Sequence, residues 1–360
     1  MLIIKDERLQ LIVVMFMLLI IGLLYVYSIG ALQAHRIGKM EYFFMLKQLT
    51  SAVAGFIAMY IAYRIPLEGY RKFLVLIYAI TLILLISVFF FHPVNGANRW
   101  IPLPIFSLQP SEFAKIVVIL YLAHYLDKKE DKIQQFSRGI FPASVMIGVM
   151  AAVILLEPDY GTTFLILAVS IILLFIGGMS YKYLMAIVFL LLPIAMAGML
   201  MGYRKARILS FLNPWEYKHS VGYQLIQSLI AIGSGGIYGK GIGNSSQKLF
   251  FLPEAHTDFV FAIIGEEFGI IGAIFVLSLL IYFFIIIYKI ALKHTDKYKR
   301  FLTLGFGYIF LIQSLIHIGV TIGILPTKGI TLPFISYGGS ALICQMFIVG
   351  MLLRSSEEAK

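Results

Sequence analysis

The chain has 360 residues, of which 60% are hydrophobic and 13% charged. That is about half the charged fraction of a soluble domain, and the apolar residues fall in long runs, which excludes a soluble enzyme and indicates a polytopic helical membrane protein. The formal net charge of +11 does not indicate nucleic acid, because the basic residues lie between apolar runs rather than on one soluble face.

Ten spans are predicted in chain order, at about 9–31, 43–63, 73–92, 107–126, 139–156, 161–179, 182–202, 258–291, 301–325 and 333–353. The first run, Leu9 to Tyr27, is too long for a signal-peptide core and reads as a retained helix. An even number of spans puts both termini on one side. The short loops on the other side hold only Arg36, Lys39, Lys47, Arg99 and Lys328, whereas the segments on the terminal side are rich in Lys and Arg. The positive-inside rule therefore places both termini in the cytoplasm. Residues 203–257 form one large extracytoplasmic loop between the seventh and eighth spans. The whole chain, 1–360, is read as one transmembrane domain of all-α class. The lone cysteine, Cys344, excludes an intramolecular disulfide and offers no metal motif.

Four segments on the outer side carry unusual polar groups. In NGANRWIPLPIFSLQPSEFAK, residues 95–115, Trp100 suits a membrane interface, and Glu112 and Lys115 are spaced to pair on one helix face. In LLEPDYGTT, residues 155–163, Glu157 and Asp159 flank Pro158 in an extended turn between two spans, where a merely solvated turn is the bland alternative. The large loop holds an amphipathic stretch, Gly222 to Ile232, and then GSGGIYGKGIGNSS at 233–246. Its glycines permit close backbone approach, and no strand precedes them, so a dinucleotide-binding reading fails.

The loop leads into LPEAHTDFVFAIIGEEFG, residues 252–269, with Glu254, His256, Asp258, Glu266 and Glu267 astride the start of an apolar run. Thr257 or Asp258 could simply cap the helix. Glu266 lies eight residues beyond Asp258, about 12 Å further along a helix. A charge at the centre of a membrane helix costs about 2.5–3.5 kcal/mol, so Glu266 and Glu267 need a polar cavity or cationic partners. Finally, LPTKGITLPFISYGGS, residues 325–340, breaks the apolar pattern with prolines and glycines. Lys328 there can meet an anion or snorkel, and Ser336 to Ser340 open the last helix with free amides. Carboxylates and cations thus converge around broken helix ends, a pattern that suits an anionic membrane-borne substrate. Residue spacing alone leaves enzyme and transporter both open.

The same segments resemble the SEDS family (shape, elongation, division and sporulation) of cell-wall proteins over nearly the whole chain. The likeness rests on NRWI at 98–101, FSLQPSEFAK at 106–115, EPDYGT at 157–162, NPW at 213–215, GYQLIQSLIAIGSGG at 222–236, and the two long segments just quoted. GIGNSSQKLFFLPEAHTDF and the TKG before LPFISYGGS favour the division member over the elongation member, with the sporulation paralogue close. The resemblance implies a peptidoglycan glycosyltransferase that polymerises lipid II into β-1,4-linked glycan on the outer face of the bacterial inner membrane, at the division septum. It implies a class B penicillin-binding protein as crosslinking partner, along with other divisome membrane proteins. It implies Asp258 as the essential residue, read as the general base.

Arg99, Lys115, Arg204, Arg207, Lys240 and Lys328 are the candidate cations for the leaving pyrophosphate. A divalent cation, Mg or Mn, can serve the same charge neutralisation, with no residue assigned to it. Glu254, His256, Trp100 and Ser336 are expected to tune the base or bind substrate. Glu112, Glu157, Asp159, Glu266 and Glu267 are expected to pair charges or hold structure. A lipid II flippase and a non-catalytic division scaffold are the competing readings.

Overall fold

The computed structural model describes residues 6–92, 97–103, 107–199, 203–249 and 251–359, with the side chains of 191–192 and 194–204 outside the description. Each predicted span coincides with a helix. These are α1 (Glu7–Arg36), α2 (Phe43–Arg64), α4 (Leu74–Ser87), α5 (Pro110–Lys129), α6 (Phe141–Leu156), α7 (Tyr160–Ile176), α8 (Tyr181–Met199), α11 (Val260–Lys293), α12 (Lys297–Thr321) and α13 (Gly339–Glu358). Short helices join them: α3 (Leu67–Lys72), and α9 (Tyr203–Leu212) and α10 (Tyr223–Gly235) within the large loop. Six of the described helices are long and apolar enough to cross a membrane by length and composition. A two-stranded antiparallel hairpin, β1 (Ile101–Pro102) with β2 (Ser107–Leu108), precedes α5.

Ion pairs mark one end of the bundle. Glu7 at the start of α1 meets Lys293 at the end of α11 at 2.6 Å, and Glu358 at the end of α13 meets Lys299 at the start of α12 at 2.9 Å. Both chain ends therefore share this end, as an even number of crossings requires, and the turn carrying Asp258 lies at the opposite one. Helices α12 and α13 are buried along most of their length. Close backbone approach holds α13 against α2: a Cβ on Gly350 would lie 2.1 Å from the Met59 carbonyl oxygen. Small residues serve this purpose where hydrophobic burial cannot drive helix association.

Two stretches inside the expected spans depart from regular helix, because polar groups elsewhere in the protein take over their backbone bonds. The tenth helix begins at Gly339 rather than 333. The apolar stretch before it is an irregular loop, with Leu332, Phe334 and Ile335 buried. Its backbone is satisfied by polar side chains of neighbouring helices. Phe334 N–H donates to Gln345 Oε1 at 2.8 Å, Gly338 N–H donates to Gln48 Oε1 at 3.2 Å, and Gln48 Nε2 donates to the Ser336 carbonyl at 3.3 Å. Non-helical backbone is tolerated at such depth when protein groups replace the helix bonds. Helix α11 starts at Val260 and is broken at Gly269, whose φ is +66°. The glycine-rich loop docks its own main chain into the break: Lys240 N–H bonds the Glu266 carbonyl, Gly241 N–H the Glu267 carbonyl, and Ile270 N–H the Gly236 carbonyl, each at 3.0 Å. A Cβ at Gly239 would sit 2.2 Å from the Glu267 carbonyl oxygen, which explains why glycine is required there.

Candidate functional site

Pro253 to Phe259 form a tight turn before α11. It is closed by Asp258 N–H donating to the Glu254 carbonyl at 3.0 Å, and Glu254 adopts a left-handed φ of +54° to allow it. The Thr257 hydroxyl reaches both the Glu254 carbonyl and Glu254 Oε2 at 3.2 Å. The N-cap of α11 is Phe259, and no side chain caps that helix. The capping explanation for Asp258 therefore fails, and its carboxyl is left for other work.

The loop before α13 holds this turn from behind. Ser336 Oγ donates to the Thr257 carbonyl at 2.6 Å and accepts from Leu332 N–H at 2.8 Å, and Tyr337 N–H donates to the His256 carbonyl at 2.9 Å. Ser336 is thus a backbone clip within the protein. The His256 ring packs between Phe44 and Tyr337, with centroids 5.4 and 5.3 Å away, and burial lowers its basicity. His256 supports the turn as an aromatic wall. On the open side stands Gly329, where a Cβ would come within 3.2 Å of Asp258 Oδ2. Backbone from the 325–338 loop therefore faces the carboxyl directly.

Asp258 is half-buried. Burial, and secondarily the charge of Glu254, push its pKa up to about 7, against the opposing pull of Arg207, the Thr257 hydroxyl and Arg99. A carboxyl poised there can hold a proton or accept one near neutral pH, which is what general-base work needs. Arg207, on α9, donates to the Thr327 carbonyl at 3.3 Å. It also lines a cavity of about 430 Å³ together with Ser220, Tyr223, Gln224, Pro253 and Thr327. The Lys328 ammonium lies over the Phe164 ring, 5.1 Å from its centroid, and burial lowers its pKa.

Arg99 donates Nε to the Glu157 carbonyl at 3.2 Å and a terminal nitrogen to the Pro158 carbonyl. It thereby ties the segment before β1 to the turn between α6 and α7, with Trp100 half-buried beside it. Asp159 caps α7 through Thr162 N–H at 3.2 Å and accepts from Gln109 Nε2 and Ser111 Oγ, each at 3.1 Å. Glu157 is fully buried, and among the described residues neither carboxyl oxygen has a hydrogen-bond partner.

Several expected members of the cation set stand elsewhere. Lys115 is buried in the bundle, 2.7 Å from Glu112 and 3.1 Å from Gln313 Oε1, so its ammonium is enclosed by protein rather than offered to a ligand. Lys240 is held by Glu266 at 2.7 Å. The side chain of Arg204 lies outside the described residues. Glu266 is the hub of the glycine-rich loop: besides Lys240 it accepts from the Ser245 hydroxyl and from Ser246 and Gln247 N–H, at 3.1 and 3.2 Å. Glu267 pairs at 2.8 Å with Lys248, which also reaches Ser28 Oγ at 3.0 Å. Sequence reasoning passed over Lys248, Gly329, Gln109 and Ser111. The usable signal for Lys248 was an unassigned cation in the loop preceding two intramembrane glutamates. Among the described residues no group of three or more His, Cys, Asp or Glu side chains is placed to hold a metal ion, and no residue is assigned to one.

Counterparts exist along the full chain. A family model described as cell cycle protein, FtsW/RodA/SpoVE, matches residues 8–360. A Geobacter metallireducens protein named "Probable peptidoglycan glycosyltransferase FtsW" is 41% identical over 343 residues, covering 94% of this chain and 92% of that protein. A Coxiella burnetii protein of the same name is 39% identical over 350 residues, covering 95% and 94%. Among solved structures, one on the coordination of polymerization and crosslinking by a peptidoglycan synthase complex superposes with a TM-score of 0.82 at 23% identity, over 97% of each chain. The rod shape determining protein RodA of Thermus thermophilus superposes with a TM-score of 0.72 at 23% identity, over 97% of this chain and 96% of that one. These two likenesses show a shared fold.

Proposed function

This chain belongs to the FtsW/RodA/SpoVE family of cell cycle proteins, and we infer that it is a peptidoglycan glycosyltransferase polymerising lipid II into β-1,4-linked glycan. The observation that carries the mechanism is an uncapped, half-buried Asp258 with arginine charge around it and a cavity lined by Arg207 alongside. The donor is an α-linked sugar pyrophosphate and the product is β-linked, so one inverting displacement suffices. The acceptor 4-hydroxyl oxygen bonds to the anomeric carbon as the bond from that carbon to the pyrophosphate oxygen breaks. The electron pair leaves on undecaprenyl pyrophosphate, and Asp258 takes the hydroxyl proton.

Positive charge near Asp258 offsets the charge developing on the leaving group. Arg207 is the cation best placed for this, since its charge acts on Asp258, whereas the Lys328 ammonium lies over the Phe164 ring. Arg99 contributes its field while its hydrogen bonds hold the turn. The site end faces outward and the terminal end faces the cytoplasm, following the Lys and Arg distribution. The chain acts at the division septum with a class B penicillin-binding transpeptidase, in keeping with the synthase complex that shares its fold.

A lipid-translocating role would draw on the intramembrane carboxylates. Here Glu266 and Glu267 are each held by a lysine, which suits a fixed scaffold better than a moving carrier. Proteoliposomes carrying labelled lipid II and challenged with dithionite distinguish the two. Protein-dependent label loss from the inner leaflet would restore the transport reading.

Two tests arise from the geometry. The base must be ionised, so polymerisation is expected to rise with pH and reach half its limit near 7, the value to which Asp258 is pushed. A flat profile from pH 5 to 8 would contradict the assignment. Gly329→Ala adds a methyl 3.2 Å from Asp258 Oδ2 at an exposed position whose φ any residue can adopt. Displacing a catalytic group by a few tenths of an ångström is expected to lower turnover about tenfold. The unfolding temperature should stay unchanged, and an unaltered rate would show that Asp258 tolerates the shift.

A further inference from the structure

Glu157 has no place in the chemistry above, yet its position is unusual. It ends α6 at the turn that Arg99 grips, its exposure is 0%, and among the described residues neither carboxyl oxygen has a donor. An ionised carboxylate cannot be kept that way: burial without hydrogen bonds costs several kcal/mol, and the group takes a proton instead. Arg99 is near enough to act on it, but spends its hydrogen bonds on the main-chain carbonyls of Glu157 and Pro158.

We propose that Glu157 is a positioning residue that works as the neutral acid, leaving Arg99 on the backbone carbonyls with its charge directed at the reacting centre, and that ionisation of Glu157 draws Arg99 away and switches the site off. This rests on the glycosyltransferase reading of the same site. The two charged groups acting on Glu157 are Asp159, which favours its neutral form, and Arg99, which opposes it. With burial as the largest influence, they leave it titrating at about 8. Neighbouring α5 contributes Glu112 and Lys115, already paired with each other, and the 325–338 loop contributes Lys328, set over the Phe164 ring. Asp258 must be ionised and Glu157 neutral, so the enzyme has a narrow working window between the two titrations. Because both carboxyls feel Arg99, the limbs belong to the coupled set.

The experiment compares wild type and Glu157→Gln in polymerisation of lipid II from pH 6 to 9.5. Wild type is expected to lose about tenfold by pH 9, one unit above the Glu157 titration. The amide, which is permanently neutral, should keep its rate there. Infrared difference spectra between pH 7 and 9 give a readout independent of activity: wild type should lose a carboxylic-acid carbonyl band that Glu157→Gln lacks. An alkaline fall of equal size in both proteins, or no such band in wild type, overturns the inference. Wild type that polymerises nothing at any pH overturns the glycosyltransferase reading instead.

Discussion

Asp258→Asn is expected to lower the turnover of lipid II polymerisation by about 10²–10⁴-fold, the usual contribution of a general base, with little effect on thermal unfolding. The second half of that expectation follows from the local structure. Asp258 caps no helix, and the Thr257 hydroxyl beside it is engaged with Glu254. The turn is held instead by main-chain bonds and by the Ser336 clip. The amide has the same shape, cannot take the proton, and removes a group that burial penalises when charged. Asp258→Asn should therefore fold at least as well as wild type. A variant that loses activity and unfolds together would assign Asp258 a structural role.

Glu266→Ala is expected to act the opposite way, through stability. Glu266 is fully buried and satisfies Lys240, the Ser245 hydroxyl and two main-chain amides. Removing the carboxylate strands the buried Ser245 hydroxyl and Gln247 amide, at about 1–3 kcal/mol for each unsatisfied group, while the exposed Lys240 ammonium turns to water. The loop it anchors also supplies the main-chain bonds that bridge the break at Gly269. Scanning fluorimetry should show a clearly lowered unfolding temperature, with faster proteolysis at 236–247. An unchanged unfolding temperature would mean that the loop is held by its glycine contacts alone.

The contrast between these two acids was partly legible in the sequence. Asp258 at a helix entrance and Glu266 two turns deeper announced different tasks, and the Lys and Arg partners had to lie nearby. The helices were legible because repeated apolar runs, most of them near membrane length, leave little freedom, even where α11 is broken. The start of α13 was not. The stretch 333–338 carries Phe334, Ile335 and Tyr337 within an expected span, and it holds as a loop because Gln345 on the adjoining α13 and the distant Gln48 satisfy its backbone. The cation set was also illegible: Lys115 and Lys240 look available in sequence, and only the fold shows Glu112, Gln313 and Glu266 around their ammonium groups. Gly329 carried no sequence signal, since its importance lies in a missing side chain opposite Asp258.

Whether Asp258 is the base of a lipid II polymerase is decided by gel analysis of glycan strands. Wild type and Asp258→Asn, each purified with the transpeptidase partner and matched in folded amount, are given lipid II at pH 7.5. A ladder of glycan strands is expected from wild type and none from Asp258→Asn. Ladders of equal intensity from the two proteins would contradict it.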